Sequence, residues 1–207
     1  MKTLLELAAV GKAFGAHRVL NDAWLQVRGG EAVGLIGANG AGKTTMMRIA
    51  AGLVRPDRGC VRRADERVVL RYFGGETTLP PDVTVHGWAS LFGRRMGDRR
   101  RIGQLSRGNR QLLGLDLVLA RPGADIILLD EPWEGLDPNG SDWLTGRLCR
   151  WRDEGAAVLI SSHRLYDLDS VCTRFVMLEA GRCMPITGQD RPRVEQLAQA
   201  FARRTRP

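Results

Sequence analysis

The sequence predicts an α/β fold: a largely parallel sheet core, an antiparallel β part at the N-terminus and a small helical insertion. The main observation is that short apolar segments, typical of buried strands, alternate with helical segments along the chain. A second observation is that this alternation breaks between Thr84 and Leu105, where we place the helical insertion. A third is a strand that leads through a glycine-rich turn into a helix, over residues 31–52.

The first half of the chain is expected to carry several strands. Leu4–Val10 and Trp24–Val27 are the early strands of the antiparallel part. Glu31–Ile36 is an apolar strand that precedes the glycine-rich turn, and Lys43–Gly52 is a helix ended by its glycine. Arg67–Tyr72 is predicted as a further strand.

The second half alternates in the same way after the insertion. Ser106 is expected to be the N-cap of a helix that reaches about Ala120 and places leucines on one face. The other predicted elements are a short helix over Thr84–Arg95, a buried strand over Asp125–Leu129, a helix over Pro138–Glu154, and strands over Ala156–Ser161 and Phe175–Leu178.

Length and hydropathy bound the organisation of the protein. The 207 residues suit one domain, or one domain with a small subdomain. No apolar run approaches the roughly 18 to 20 residues of a membrane helix, and Met1–Val10 carries Glu6 without a signal-peptide stretch. We therefore expect a cytosolic chain whose membrane role, if it has one, comes through a partner. The isolated cysteines, expected to be reduced, are Cys60, Cys149, Cys172 and Cys183.

Basic residues exceed acidic ones, 31 against 23, and all but three of them are Arg. One interpretation is codon bias in a GC-rich genome; the other is a basic face for phosphates, acidic partners or lipid headgroups. The densest cluster, either a solvated face or a docking surface, is Arg94, Arg95, Arg99, Arg100 and Arg101. Nucleic acid is not an expected partner, because no nucleic-acid-binding module is visible.

A phosphate-binding loop is predicted between the third strand and the first helix. Residues 37–44, GANGAGKT, fit the pattern G-x-x-x-x-G-K-[ST] in the strand–helix context that it requires. Glycines let backbone N–H groups point at phosphate oxygens, and the helix adds the positive end of its dipole. Lys43 would bridge the β- and γ-phosphates of ATP, and Thr44 would ligate Mg²⁺. The alternative is an accidental glycine-rich turn. The residues predicted to bind the nucleotide here are Gly37, Ala38, Asn39, Gly40, Ala41, Gly42, Lys43, Thr44 and Thr45.

Two acids follow the four apolar residues at 126–129. A buried strand would deliver Asp130 to the carboxyl end of the sheet, where α/β proteins bind ligands, and Asp130 could hold Mg²⁺ directly or through water. Glu131 lies one residue further on, so it can address the attacking water and is the candidate general base. The alternative is an N-capping acid pair before a turn.

Further motifs occur in a characteristic order. Residues 105–111, LSRGNRQ, resemble the signature LSGGQ with its following R-Q: Ser106 and Gly108 match, whereas Arg107 and Asn109 depart from Gly and Gln. Residues 134–137, EGLD, resemble a loop that is usually S-G-L-D. Together with the phosphate loop, these motifs make residues 3–188 resemble the ATPase domain of the ATP-binding cassette family.

The resemblance implies roles for five further residues. Phe14 would stack on adenine, and His163 would contact the γ-phosphate and position water, as a catalytic residue beside Glu131 and Lys43. Ser106 and Gly108, with Asp137 of the EGLD loop, would face nucleotide held by another subunit. Two such subunits would then sandwich two ATPs head to tail. The alternatives are a simple N-cap for Ser106, a surface residue for His163 and a core aromatic for Phe14.

Two departures from the family pattern concern the coupling between the nucleotide site and the membrane subunits. Gly75 stands where the family usually has a Gln that assists Mg²⁺ and relays the nucleotide state, and Glu76 or water is the substitute we consider. The helical arm after Thr84 is also shorter than is typical, and the arm is where transporters dock their membrane subunits. The division expected is a single domain over 1–207, with a nucleotide-binding core (1–83 and 121–190), a reduced helical subdomain (84–120) and a C-terminal helix or tail (191–207).

The resemblance implies an ATP-binding and ATP-hydrolysing transporter subunit that uses Mg²⁺. ATP-driven dimerisation with a second ATPase subunit, as a homo- or heterodimer, would act on integral membrane subunits on separate chains. The chain would then be cytoplasmic and peripheral at the inner face of the cell membrane. The alternatives are a soluble cassette ATPase that drives assembly or remodelling, and a regulatory module that barely hydrolyses ATP. The substituted signature favours the regulatory module, whereas Glu131 and His163 argue against it.

Overall fold

Two β-sheets and five helices make up the part of the chain that the structure, a computed structural model, describes: residues 1–75, 79–119, 123, 125–163 and 165–186. The first sheet is antiparallel, in the order β2-β1-β4. Its strands are β1 (Thr3–Phe14), β2 (His17–Arg28) and β4 (Arg58–Arg63). A two-residue turn joins β1 to β2, and Phe14 pairs with His17 at its base.

The second sheet has six strands in the order β5-β6-β7-β3-β8-β9 and is parallel except for the antiparallel edge strand β9. Its strands are β3 (Ala32–Ile36), β5 (Leu70–Phe73), β6 (Ile126–Asp130), β7 (Ala157–Ser161), β8 (Arg174–Glu179) and β9 (Arg182–Ile186). Because β6, β7 and β3 are parallel neighbours, the loops that follow them emerge at the same edge of the sheet.

Five helices connect and cover these strands. They are α1 (Lys43–Ala50), α2 (Val85–Leu91), α3 (Arg107–Leu119), α4 (Pro138–Asp153) and α5 (Leu165–Asp169). A 3₁₀ turn over Ile102–Gln104 lies between α2 and α3. No helix within the described ranges combines the length and the apolar character needed to cross a bilayer.

The central strands are apolar on both faces because each face packs into a different core. In β6, Ile126 and Leu128 join the cluster between the two sheets, whereas Ile127 and Leu129 join the cluster under α3 and α4. Side chains alternate between faces with a period of two, so a strand buried on both sides appears as an unbroken apolar run. This double burial fixes the position of Asp130 at the strand's end.

Helix α3 connects the helical arm to the main core. Leu113 and Leu117 pack in the arm's own apolar cluster with Ile102, whereas Leu115 and Leu119 pack against the parallel sheet. Packing on two sides holds the helix firmly, which fixes the position of the segment that begins it.

The predicted fold class is confirmed, with several corrections to its elements. Strand β5 begins at Leu70 rather than Arg67, because the Asp65 side chain accepts a hydrogen bond from the Arg67 backbone N–H (2.9 Å) and forms a turn. Helix α2 ends at Leu91 rather than Arg95. Strands β4 and β9 and helix α5 were not predicted, and β1 and β2 are longer than expected. Ala120, Glu76 and the expected tail over 191–207 lie outside the described residues.

Candidate nucleotide-binding site

The loop between β3 and α1 is built so that only glycine fits at key points. A Cβ at Gly37 would lie 2.6 Å from the carbonyl oxygen of Leu178. Gly42 caps α1 with φ +103°, and a Cβ there would lie 2.8 Å from Val19 of β2. The loop therefore packs closely against β8 and the β1–β2 hairpin, in a conformation that these glycines permit.

Lys43, the first residue of α1, points back into this loop. Its Nζ donates hydrogen bonds to the carbonyl oxygens of Gly37 (2.8 Å) and Ala38 (3.3 Å), and the residue is only 7% exposed. Burial lowers the pKa of Lys43, while the charges of Glu131 and Asp130 act in the opposite direction. The cation is thus held where an anionic ligand of the loop would meet it.

The two predicted metal ligands differ in exposure. Thr44 follows Lys43 on α1 and is exposed, whereas Asp130 ends β6 and is buried. The hydroxyl of Ser161, at the end of β7, donates a hydrogen bond to Oδ1 of Asp130. A hydroxyl and a carboxylate are oxygen ligands of the kind that Mg²⁺ prefers, so the residues present fit that ion.

Glu131 has an unusual backbone, with φ +48°, a region that costs a non-glycine residue about 1–3 kcal/mol. Its N–H donates to the carbonyl oxygen of Ser161 (3.0 Å) and lies 3.2 Å from the Ser161 hydroxyl. These bonds hold the turn and direct the carboxylate toward Lys43 and His163. Sequence reasoning missed Ser161; its only signal was a polar residue ending an apolar strand.

The carboxylate of Glu131 lies between two other predicted catalytic residues. Oε2 accepts a hydrogen bond from the His163 backbone N–H (3.2 Å) and lies 2.9 Å from its Nδ1. Oε1 lies 3.9 Å from Nζ of Lys43. The structure thus brings Lys43, Glu131 and His163 together from three separate segments, although their catalytic roles stay predictions.

The LSRGNRQ segment (residues 105–111) begins α3 beside the EGLD loop (residues 134–137). The Ser106 hydroxyl accepts a hydrogen bond from the Asn109 N–H (3.2 Å), so Ser106 caps the helix as expected. A Cβ at Gly108 would lie 2.6 Å from the carbonyl oxygen of Gly135, so only glycine permits this approach.

Gln111, which no site prediction included, fastens the same segment from within the protein. It is buried, and its side-chain amide donates to the carbonyl oxygens of Glu131 (3.3 Å) and Pro132 (2.9 Å). Its only sequence signal was its position in the R-Q pair after the signature. Asp137 accepts a hydrogen bond from the Gly140 N–H (2.7 Å), so within this chain it is the N-cap of α4.

Phe14 lies at the end of β1 and is 53% exposed, so the alternative that it is a core aromatic is wrong. Nζ of Lys12 lies 5.4 Å from the centroid of its ring and also pairs with Asp57 (2.7 Å). The ring therefore offers a surface on the hairpin that packs against the phosphate-loop glycine Gly42.

Gly75, where the family usually has Gln, has φ +94°, a conformation that other residues rarely adopt. A Cβ at Gly74 would lie 2.7 Å from the hydroxyl of Tyr72, so the chain passes closely over that ring. Burial and the charge of Asp130 raise the pKa of Tyr72, against the effect of Arg48. The local backbone therefore favours the glycines found here over a glutamine.

Fold and site together define an α/β nucleotide-binding protein with a phosphate loop. A family model described as "ABC transporter" matches residues 20–134. The chain belongs to this family, and the resemblance to its ATPase subunits is confirmed.

Among its relatives is a ribose import ATP-binding protein of Pseudomonas putida, 31% identical over 97% of this chain; the chain spans 46% of that relative's length. A Nod factor export ATP-binding protein of Burkholderia lata is 31% identical over 86% of this chain and 68% of its own. A solved ATP-binding subunit of an ABC transporter superposes with a TM-score of 0.80 at 27% identity, covering 97% of this chain and all of that one.

Proposed function

We propose that this chain is the ATP-hydrolysing subunit of a transporter and that its composite nucleotide sites form only when two such subunits meet. The observation that carries the proposal is the Glu131 carboxylate, placed between Lys43 and His163 beside the phosphate loop. This arrangement joins a candidate base to the cation expected on the transferred phosphate.

ATP would bind with its phosphates in the loop of residues 37–45 and its adenine on Phe14. Backbone N–H groups of the loop and the N-terminus of α1 would face the phosphate oxygens. Lys43 would exchange its carbonyl partners for the β- and γ-phosphates, because a charged acceptor binds an ammonium more strongly than a carbonyl does. Thr44 and Asp130 would hold Mg²⁺, which when bound neutralises charge on the phosphates.

Glu131 would take a proton from the water that attacks the γ-phosphate. Its carboxylate is half-buried and accepts the backbone N–H of His163, which keeps one oxygen oriented and leaves the group available as a base. The His163 side chain is about half exposed, so it would be free to contact the γ-phosphate and help to position the water. The positive φ of Glu131 supports this assignment, since backbone strain of this kind is concentrated at functional sites.

Ser106, Gly108 and Asp137 would act on the nucleotide of the facing subunit. The N-terminus of α3 offers a partial positive charge to the phosphates of that ATP. One chain carries one loop and one signature, so two chains would form two sites related by a twofold axis. A second copy is the simplest partner, and another cassette chain would give a heterodimer.

Integral membrane subunits on separate chains are the partners that we propose for transport, with this chain at the inner face of the membrane. The relatives named above serve import and export, which supports transport over a soluble machine for assembly. The docking site would be the helical arm, where Leu91 is a largely exposed apolar residue.

The experiment is phosphate release by the purified chain, with ATP and with or without Mg²⁺, over a series of chain concentrations. We expect hydrolysis only with Mg²⁺ and a specific rate that rises with chain concentration, because each site needs a second subunit. The Glu131→Gln chain at the same concentrations is the control. A specific rate independent of concentration would contradict the composite site, and no hydrolysis at any concentration would contradict the ATPase itself.

A further inference from the structure

Two departures from the family motifs meet in the structure. Arg107 replaces the usual Gly of the signature, and Glu134 replaces the usual Ser of the EGLD loop. Nη2 of Arg107 lies 2.5 Å from Oε1 of Glu134, a charge-assisted hydrogen bond between residues far apart in the chain. Neither usual residue could form this pair, so the two departures match each other in charge and in position.

The ion pair is the outermost of three contacts between the same two segments. Beneath it, Arg107 side-chain atoms lie 3.5 Å from the position that a Cβ of Gly135 would occupy, and Gly108 approaches the Gly135 carbonyl. Deeper still, the Gln111 amide bonds to the carbonyls of Glu131 and Pro132. These contacts fasten the start of α3 to the loop after β6, with the Arg107–Glu134 pair on the exposed side.

We propose that Arg107 and Glu134 are positioning residues for the composite nucleotide site; this inference rests on the proposed dimer function. Both lie next to residues that would face the ATP of the other subunit. Glu134 alone would bring a negative charge toward those phosphates, and Arg107 neutralises it while fixing the angle between the signature and the EGLD loop. The Arg107 guanidinium thus sets both the charge and the geometry of the face that meets the second subunit.

The two single substitutions should differ in their effect on ATP-driven dimerisation, whereas breaking a purely structural ion pair from either side would have the same effect. Arg107→Ala leaves Glu134 uncompensated before the phosphates and should weaken ATP-driven dimerisation more than Glu134→Ala does. An exposed charge interaction is worth up to about fivefold in an equilibrium constant, and an uncompensated Glu134 would face bound phosphates at both sites of the dimer, so Arg107→Ala should raise the dimer Kd by up to about 25-fold. Removing Glu134 as well should recover part of that loss.

The test is a double-mutant cycle in the Glu131→Gln chain, with the dimer Kd in ATP measured by analytical ultracentrifugation. The variants are Arg107→Ala, Glu134→Ala, both together, and the charge exchange Arg107→Glu with Glu134→Arg. The matched control is Arg62→Ala, which breaks an exposed ion pair of similar geometry (Arg62–Glu6, 3.1 Å) on the antiparallel sheet. The affinity of the monomer for ATP is measured alongside by calorimetry.

Three results together support the proposal. The effects of the two single substitutions on the dimer Kd are not additive, Arg107→Ala forms the weakest dimer, and Arg62→Ala dimerises as the parent does. Additive effects, equal effects of the two single changes, or a change in monomer ATP affinity that accounts for the loss overturn it. If the Glu131→Gln parent does not dimerise with ATP at all, the proposed function fails and this role fails with it. If the parent dimerises but the double-mutant cycle shows no coupling between Arg107 and Glu134, the positioning role is wrong and the proposed function still stands.

Discussion

Replacing Glu131 with Gln should separate ATP binding from ATP hydrolysis. The amide has nearly the same shape, and its oxygen can still accept the His163 backbone N–H that now lies 3.2 Å from Oε2. It cannot take a proton from water. General-base catalysis contributes about 10²- to 10⁴-fold, which corresponds to about 2.7–5.4 kcal/mol of activation free energy. We expect turnover to fall by that factor.

ATP affinity should be retained or increased in the same variant. The Glu131 carboxylate, 3.9 Å from Nζ of Lys43, competes with phosphate for that cation and repels the γ-phosphate. Removing its charge therefore favours the nucleotide. Steady-state phosphate release measures turnover, and calorimetry measures binding.

Glu154→Gln, the same change at the exposed end of α4, is the matched control and should behave as the unmodified chain. If Glu131→Gln turns over ATP as fast as this control, the base lies elsewhere and the role derived from the His163 and Lys43 contacts is wrong.

Three further predictions concern the phosphate loop and the arm. Lys43→Ala should abolish tight ATP binding, and unchanged affinity by calorimetry would contradict the assignment. Burial lowers the pKa of Lys43 from its ordinary value of 10.5, so the ammonium loses its proton at a pH below 10.5 as the pH is raised. ATP affinity should therefore decline on raising the pH, starting before pH 10.5. The residual binding by Lys43→Ala should lack that decline. Reversing Arg95, Arg99 and Arg101 to Glu should weaken assembly with the proposed membrane subunits, most strongly at low salt, where exposed charges act most strongly, without altering ATP affinity. Normal assembly of that variant at low salt would favour the alternative that these arginines form a solvated face.

The buried strands could be predicted because their cause is local. Strand β6 is apolar at every position before Asp130, since both of its faces pack into a core. Strand β4 has mostly polar side chains and lies at the edge of the antiparallel sheet, so its sequence has no alternating apolar pattern. The edge strand β9 and the five-residue helix α5 are likewise too polar or too short to be recognised by periodicity.

The candidate site likewise has a part that could be predicted from local sequence and a part that could not. The loop of residues 37–44 is contiguous, so its pattern alone predicts both its conformation and its ligand. The convergence of Lys43, Glu131 and His163 depends on the order of strands in the sheet, which only the resemblance to a family supplied. Gln111 contributes through tertiary hydrogen bonds that no spacing in the sequence reveals.

Burial raises the thiol pKa of two cysteines that the sequence offers no reason to distinguish from the others. All four are free, yet burial raises the pKa of the Cys172 and Cys183 thiols to about 12. At neutral pH these two thiols stay protonated and are poor nucleophiles. Sequence reasoning gave the four cysteines one common interpretation, because burial depends on the completed fold.

If each nucleotide site is made by two chains, as we propose, mixing two inactive variants should restore hydrolysis. Lys43→Ala keeps the signature but lacks the phosphate-binding cation, whereas Ser106→Arg keeps the loop but blocks the signature. In a mixed dimer, one of the two sites combines an intact loop with an intact signature. We expect the mixture to hydrolyse ATP at up to about a quarter of the unmodified rate, because half of the dimers are mixed and each has one working site. A mixture that hydrolyses no more ATP than the two variants do separately would contradict the two-chain site.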